Sequence, residues 1–240
     1  MNGSFVLGGV LGGRRRNPQY GVAGRFVHAF ALALAASLAI VIASAGLNAA
    51  AARPLRLLAL GDSLTAGFGL PTKDAFTTLL EQRLRADGLD VEVVNAGVSG
   101  DTATDALDRL DWAMGEGVDC AIVEVGANDM FRGIDPAITK SAISGILTKL
   151  RGGNVKTLLA GMIAAPGIGK DYETKFNAIY ADLAKEFGVP LYPFFLEGVI
   201  QDRALIQADG IHPNAAGERV LVDKVAPAVE QLARAAGKAN

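Results

Sequence analysis

The sequence predicts an α/β protein built on a central parallel sheet. Two features predict it: short, nearly continuous apolar runs, and between them longer stretches whose apolar residues recur at i, i+3/i+4. The first run, Leu55 to Leu60, is apolar at every position but Arg56, as in a strand covered on both faces rather than one. Phe76, Leu79, Leu80 and Leu84 then make one helical stripe before the second run, Val91 to Ala96. A helix carrying Trp112 leads to the third run, Cys120 to Val125. Pro136, whose missing N–H is harmless at a first helical position, begins the next helix, and Gly152-Gly153 ends it. The fourth run is Thr157 to Ala160, followed by a stripe of Tyr172, Phe176, Ile179, Tyr180, Leu183 and Phe187. After the segment Pro190 to Pro193, a last helix starts near Ala215 with Leu221, Val225, Val229 and Leu232 on one face and a kink expected at Pro227. Strands alternating with helices imply parallel pairing through crossovers, with helices on both faces of the sheet. In such sheets the reactive groups collect beyond the carboxyl ends of the strands.

Composition separates the chain into two objects. All 25 acidic residues lie beyond position 52, whereas Arg14, Arg15, Arg16 and Arg25 precede it. Phe26 to Leu47 is free of acids and proline, and small residues follow at Ala43-Ser44-Ala45 and Ala49 to Ala52, the pattern a signal peptidase accepts. The apolar stretch exceeds the usual h-region of about 7–15 residues and approaches the ~20 of a spanning helix. Residues 1–52 are therefore expected to be a signal peptide or an uncleaved N-terminal membrane anchor, with membrane association through residues 26–47 in the second case. Either reading exports residues 53–240: periplasmic or secreted, or held at the inner membrane facing the periplasm. These residues carry 19 bases against 25 acids, which excludes a nucleic-acid partner. They are enough for one domain with a full core that needs no metal or disulfide. Cys120 has no second cysteine to pair with and reads as an inert core thiol.

Four loops hold the polar residues. The first strand ends in Gly61-Asp62-Ser63-Leu64-Thr65-Ala66-Gly67, where glycines permit a tight turn that exposes Ser63; a serine or aspartate there also serves as an ordinary N-cap. It lacks the Gly-Lys-Ser/Thr ending of a phosphate loop. The second ends in Asn95-Ala96-Gly97-Val98-Ser99-Gly100-Asp101-Thr102, where Gly97 offers a backbone N–H or merely permissive dihedrals. The third ends in Gly126-Ala127-Asn128-Asp129, in which the Asn128 amide can donate into the same crevice, or the pair can simply form the turn. The fourth loop, Asp209-Gly210-Ile211-His212-Pro213-Asn214, holds the one histidine beyond the leader. Serine acyl transfer needs a base that titrates near neutrality, and imidazole is that base. Asp209 can accept the Nδ1 proton if the segment turns back on itself, leaving Nε2 for the serine.

In this order GDSLTAG, the Gly97 segment, GAND and DGIHPN resemble the four sequence blocks of the SGNH (GDSL) hydrolase superfamily. The resemblance runs from Leu55 to about Leu232. It extends to the bacterial multifunctional thioesterase, arylesterase and lysophospholipase subgroup through GANDMFRG (126–133), FNAIYADLAKEFGVPLYPFF (176–195) and DGIHPN. The resemblance implies a three-layer α/β/α flavodoxin-like fold, Ser63 as nucleophile, His212 as base and Asp209 as its orienting partner. It also implies an oxyanion hole of the Ser63 and Gly97 backbone N–H groups with the Asn128 amide, and neither metal nor cofactor. Asp62 and Asp129 are expected to brace their turns.

For the acyl group, the loops after the third and fourth strands offer Met130, Phe131, Met162, Ile163 and Ile168. The expected substrates are short to medium acyl or aryl esters and thioesters, with lysophospholipid among them. One alternative is a carbohydrate acetylesterase acting on acetylated polysaccharide, for which Trp112 lies away from any obvious groove. The other is a non-catalytic exported binding domain, which would require a lost triad position.

Overall fold

The computed structural model describes residues 53–115 and 117–237. The expected leader, residues 1–52, lies outside the described residues. Among the described residues no helix is long and apolar enough to cross a membrane. Five parallel strands, β1 (Leu55–Gly61), β2 (Val91–Gly97), β3 (Cys120–Glu124), β4 (Lys156–Ala160) and β5 (Leu191–Tyr192), form one sheet in the order β2-β1-β3-β4-β5. This is the flavodoxin-like order, whose switch point lies between β1 and β3. Eight helices accompany the strands among the described residues: α1 (Ser63–Ala66), α2 (Phe76–Ala86), α3 (Ala103–Asp108), α4 (Leu110–Met114), α5 (Ala127–Phe131), α6 (Pro136–Gly152), α7 (Lys170–Phe187) and α8 (Ala215–Gly237). Helix α2 packs on α8, and α6 packs on both α3 and α7. Strand β4 meets α6 and α8 and is buried from Thr157 to Ala160, so helices cover both faces. The expected three layers and parallel sheet are present.

The core follows the apolar runs. Leu57, Leu58, Ala59 and Leu60 of β1 and Cys120, Ala121 and Val123 of β3 are fully buried, and Phe76 meets Phe195 edge-on at 5.1 Å between ring centres. Burial pushes the Cys120 thiol up to about 12, so it stays protonated and inert. Three details differ from expectation. The Pro190–Pro193 segment contains a fifth strand, whose two residues are too few to show a period; Leu159 N–H donates to the Pro190 carbonyl and Gly161 N–H to that of Tyr192. The third strand stops at Glu124, opposite the end of β1 at Gly61, and the Val125 carbonyl beyond it accepts the Tyr180 hydroxyl at 2.9 Å. The helix after the Gly97 block divides at Arg109 into α3 and α4.

Candidate active site

Strand β1 runs straight into α1, and Asp62 caps that helix by accepting the Leu64 N–H at 3.0 Å. Ser63 is thereby the first helical residue, lifted to the rim at the switch point, and Gly67 closes the turn at φ +78°. The other Asp62 oxygen accepts the Asn128 amide at 3.1 Å. Burial is the main cause that raises the Asp62 carboxyl to about 6. Asp62 thus braces the turn and does not reach the histidine through any hydrogen bond.

From the far end of the chain, the loop before α8 brings the base. Ile206 and Pro213 pair as an antiparallel bridge, and Gln207 N–H donates to the His212 carbonyl at 2.8 Å, which closes residues 206–213 into a ring. Within that ring Asp209 accepts the N–H groups of Ile211 (2.9 Å) and His212 (3.1 Å). Its second oxygen lies 2.6 Å from His212 Nδ1. The Ile211 N–H and then the His212 ring hold the Asp209 carboxyl down at about 2. An ionised Asp209 accepts a hydrogen bond from Nδ1–H, leaving Nε2 as an acceptor. Nε2 stands 2.8 Å from Ser63 Oγ, across 149 positions of sequence. Phe68 lies against the imidazole with ring centres 4.5 Å apart, and the Gln207 side chain ties the Phe68 and Pro213 carbonyls together.

The donors beside Ser63 differ in part from expectation. Gly97 does not border the cavity. Its N–H donates to Asn95 Oδ1 at 2.9 Å, and a Cβ there would stand 2.3 Å from the Ala66 nitrogen, so Gly97 is a glycine because β2 closes against the α1 backbone. Gly100, three residues on, lines the cavity together with Ser63 and takes φ +93°. Neither the Ser63 N–H nor the Gly100 N–H meets an acceptor among the described residues. The signal for Gly100 was present, since it is the second glycine of the same loop. What was missing is the loop's path. Asn128 lines the cavity, and its amide hydrogens serve Asp62 and the Asp101 carbonyl at 3.0 Å. Asp129 braces the Asn128 turn as expected, accepting from Ala103 N–H (2.8 Å) and Thr139 Oγ1 (2.9 Å).

Ser63, Asn128 and His212 open into a cavity of about 750 Å³ with mostly apolar walls. Met130, Phe131, Met162 and Ile163 line it as expected, joined by Phe194, Leu196 and Ile200 from the segment after β5. Ile168 does not. Gly167 N–H donates to Glu173 at 3.0 Å, folding residues 167–169 back on the first turn of α7. Trp112 is 82% exposed on α4 and outside the lining. A larger hollow of about 1070 Å³ at the opposite strand ends, around Asp119, Lys156 and Gly188, contains no serine–histidine pair.

The sequence model of the GDSL-like Lipase/Acylhydrolase family matches residues 59–220. The chain is 38% identical over 203 residues to Esterase TesA of Pseudomonas aeruginosa, covering 84% of this chain and 98% of that protein. It is 37% identical over 177 residues to Thioesterase 1/protease 1/lysophospholipase L1 of Escherichia coli K12, covering 73% and 84%. Among solved structures, that of TesA superposes with a TM-score of 0.70 at 38% identity over 74% of this chain and 99% of the other, and the SGNH-hydrolase family esterase AlinE4 with 0.64 at 40% identity over 75% and 97%. With its blocks in order and its serine and histidine in contact, the chain belongs to the GDSL-like lipase/acylhydrolase family of SGNH hydrolases.

Proposed function

We propose that the chain is an exported serine esterase that hydrolyses short to medium acyl or aryl esters and thioesters, with Ser63 as nucleophile. The observation that carries this reading is the 2.8 Å contact of Ser63 Oγ with His212 Nε2 at the mouth of an apolar cavity. Ser63 Oγ attacks the carbonyl carbon while Nε2 accepts the hydroxyl proton, and the Asp209 carboxylate stabilises the resulting imidazolium through Nδ1–H. The N–H groups of Ser63 and Gly100 receive the developing oxyanion, joined by the Asn128 amide as it releases one of its present acceptors. Collapse expels the alcohol or thiol, which takes the proton from Nε2, and leaves an acyl group on Ser63. The same imidazole then deprotonates water, which attacks the acyl carbonyl and frees the carboxylic acid. The apolar walls suit an acyl chain or aryl ring better than a sugar.

A fluorophosphonate probe tests the nucleophile, and a p-nitrophenyl ester series tests the substrate. The expected result is one adduct on Ser63, with rates that depend on chain length and peak among short to medium acyl groups. An intact protein that gains no covalent mass overturns the enzyme reading. Flat chain-length dependence with strong turnover of acetylated sugars overturns the substrate class. N-terminal sequencing of the mature protein tests export: cleavage within residues 43–52 is expected of a signal peptide, whereas an intact N-terminus in the membrane fraction indicates the anchor.

A further inference from the structure

Acyl transfer as derived above makes no use of Glu124, the last residue of β3. Its side chain is fully buried, and burying a carboxyl in a core is costly where an apolar residue of similar size would pack. Oε1 has no partner among the described residues. Oε2 accepts the Thr65 hydroxyl at 2.8 Å, and the backbone N–H groups of Asp62 and Thr65 also favour the carboxyl's charged form. These contacts fall on both sides of Ser63. The approach depends on Gly61, which pairs with Glu124 across the sheet: a Cβ at Gly61 would come within 2.0 Å of Thr65 Oγ1 and 2.7 Å of Glu124 Oε2.

We propose that Glu124 is a positioning residue that anchors the nucleophile turn to β3 through Thr65 and so keeps Ser63 Oγ in reach of His212 Nε2. Helix α1 is only four residues long and cannot hold its own geometry. Asp62 steadies it from the Asn128 side, and Glu124 is the corresponding hold from below. Burial, with the Asp62 charge second, raises the Glu124 carboxyl well above its ordinary range, and what the Thr65 hydroxyl requires of it is one acceptor oxygen. An amide of the same length meets that requirement.

The inference rests on Ser63 being the nucleophile, and the experiment separates the two. Glu124→Leu, Glu124→Gln, Thr65→Ala and Thr65→Ser are compared with the parent for kcat and KM on p-nitrophenyl butyrate, for fluorophosphonate labelling rate and for Tm. Misplacing a nucleophile by about 1 Å costs on the order of 10²-fold. Glu124→Leu and Thr65→Ala are expected to lower kcat and labelling rate roughly 10–100-fold with KM within about twofold, while Glu124→Gln and Thr65→Ser recover to within about threefold. Folded Glu124→Leu and Thr65→Ala proteins that label at the parental rate overturn the positioning role, as does Glu124→Gln failing as badly as Glu124→Leu. Should Glu124→Leu not fold, the Thr65 pair decides alone. A parent that does not label overturns the nucleophile assignment instead.

Discussion

The two halves of the site are held in opposite ways. The nucleophile depends on distant partners: Ser63 sits between Asp62, bonded to Asn128, and Thr65, bonded to Glu124, while Arg109 donates to the Gly61 carbonyl and pairs with Asp101. The base depends on neighbours: Asp209 meets Ile211 and His212 two and three positions on, inside a ring closed at Ile206 and Pro213. One half is largely buried and built from segments far apart along the chain. The other is partly exposed and nearly self-contained. Both groups must be placed for the 2.8 Å contact, but a short loop supplies the imidazole's tautomer and direction locally, whereas the place of Ser63 depends on segments distant in sequence.

The largest effects should erase this contrast. Ser63→Ala and His212→Ala are each expected to lower kcat by about 10⁶, and Asp209→Ala by about 10⁴, measured as steady-state hydrolysis of an aryl ester. Substitution in the supporting layer should sharpen it: Asn128→Ala removes one oxyanion donor and the brace on Asp62, for a loss in kcat of about 10²–10³. Gly97→Ala should act on stability. Its Cβ meets the Ala66 backbone, a strain of roughly 1–3 kcal/mol or more, seen as a Tm lower by about 3–10 °C. The last effect appears only toward high pH and belongs to α8 on the histidine side. Burial raises the Glu218 carboxyl to about 8 from an ordinary value of 4.5, so the folded protein holds a proton that the unfolded chain releases between those values. Stability therefore falls as pH rises from about 4.5 to about 8. Glu218→Gln should raise Tm relative to the parent at pH 8.5 and leave it unchanged at pH 4, as read from thermal melts at the two pH values.

The same contrast accounts for what could be read without coordinates. Runs rich in apolar residues at Leu55, Val91, Cys120 and Thr157 announced four strands; β1, β3 and β4 are covered on both faces, whereas β2, at the sheet edge, leaves Glu92 and Asn95 exposed. Leu191–Tyr192 announced nothing, being shorter than any period. In the site, Asp209 and His212 were legible because they lie three positions apart, and Ser63 because glycines bracket its turn. Gly97 and Gly100 were not separable by type. One is a glycine for close packing and the other for a left-handed dihedral at the cavity wall, and that distinction belongs to the path of the loop. Ile168 was misplaced for the same reason, and Glu124 left no mark in a strand read as apolar.

The ring from Ile206 to Pro213 has an evolutionary corollary. Phe194, Leu196 and Ile200, which wall the hollow, lie upstream of it, and Met162 and Ile163 belong to a separate loop. Substitutions or insertions in those stretches can reshape which acyl tails are admitted without touching the Asp209–His212 pair inside the ring. Gly210 and Ile211 of the ring also line the cavity, so the separation holds for the upstream walls alone, and laboratory libraries restricted to them are expected to retain active members.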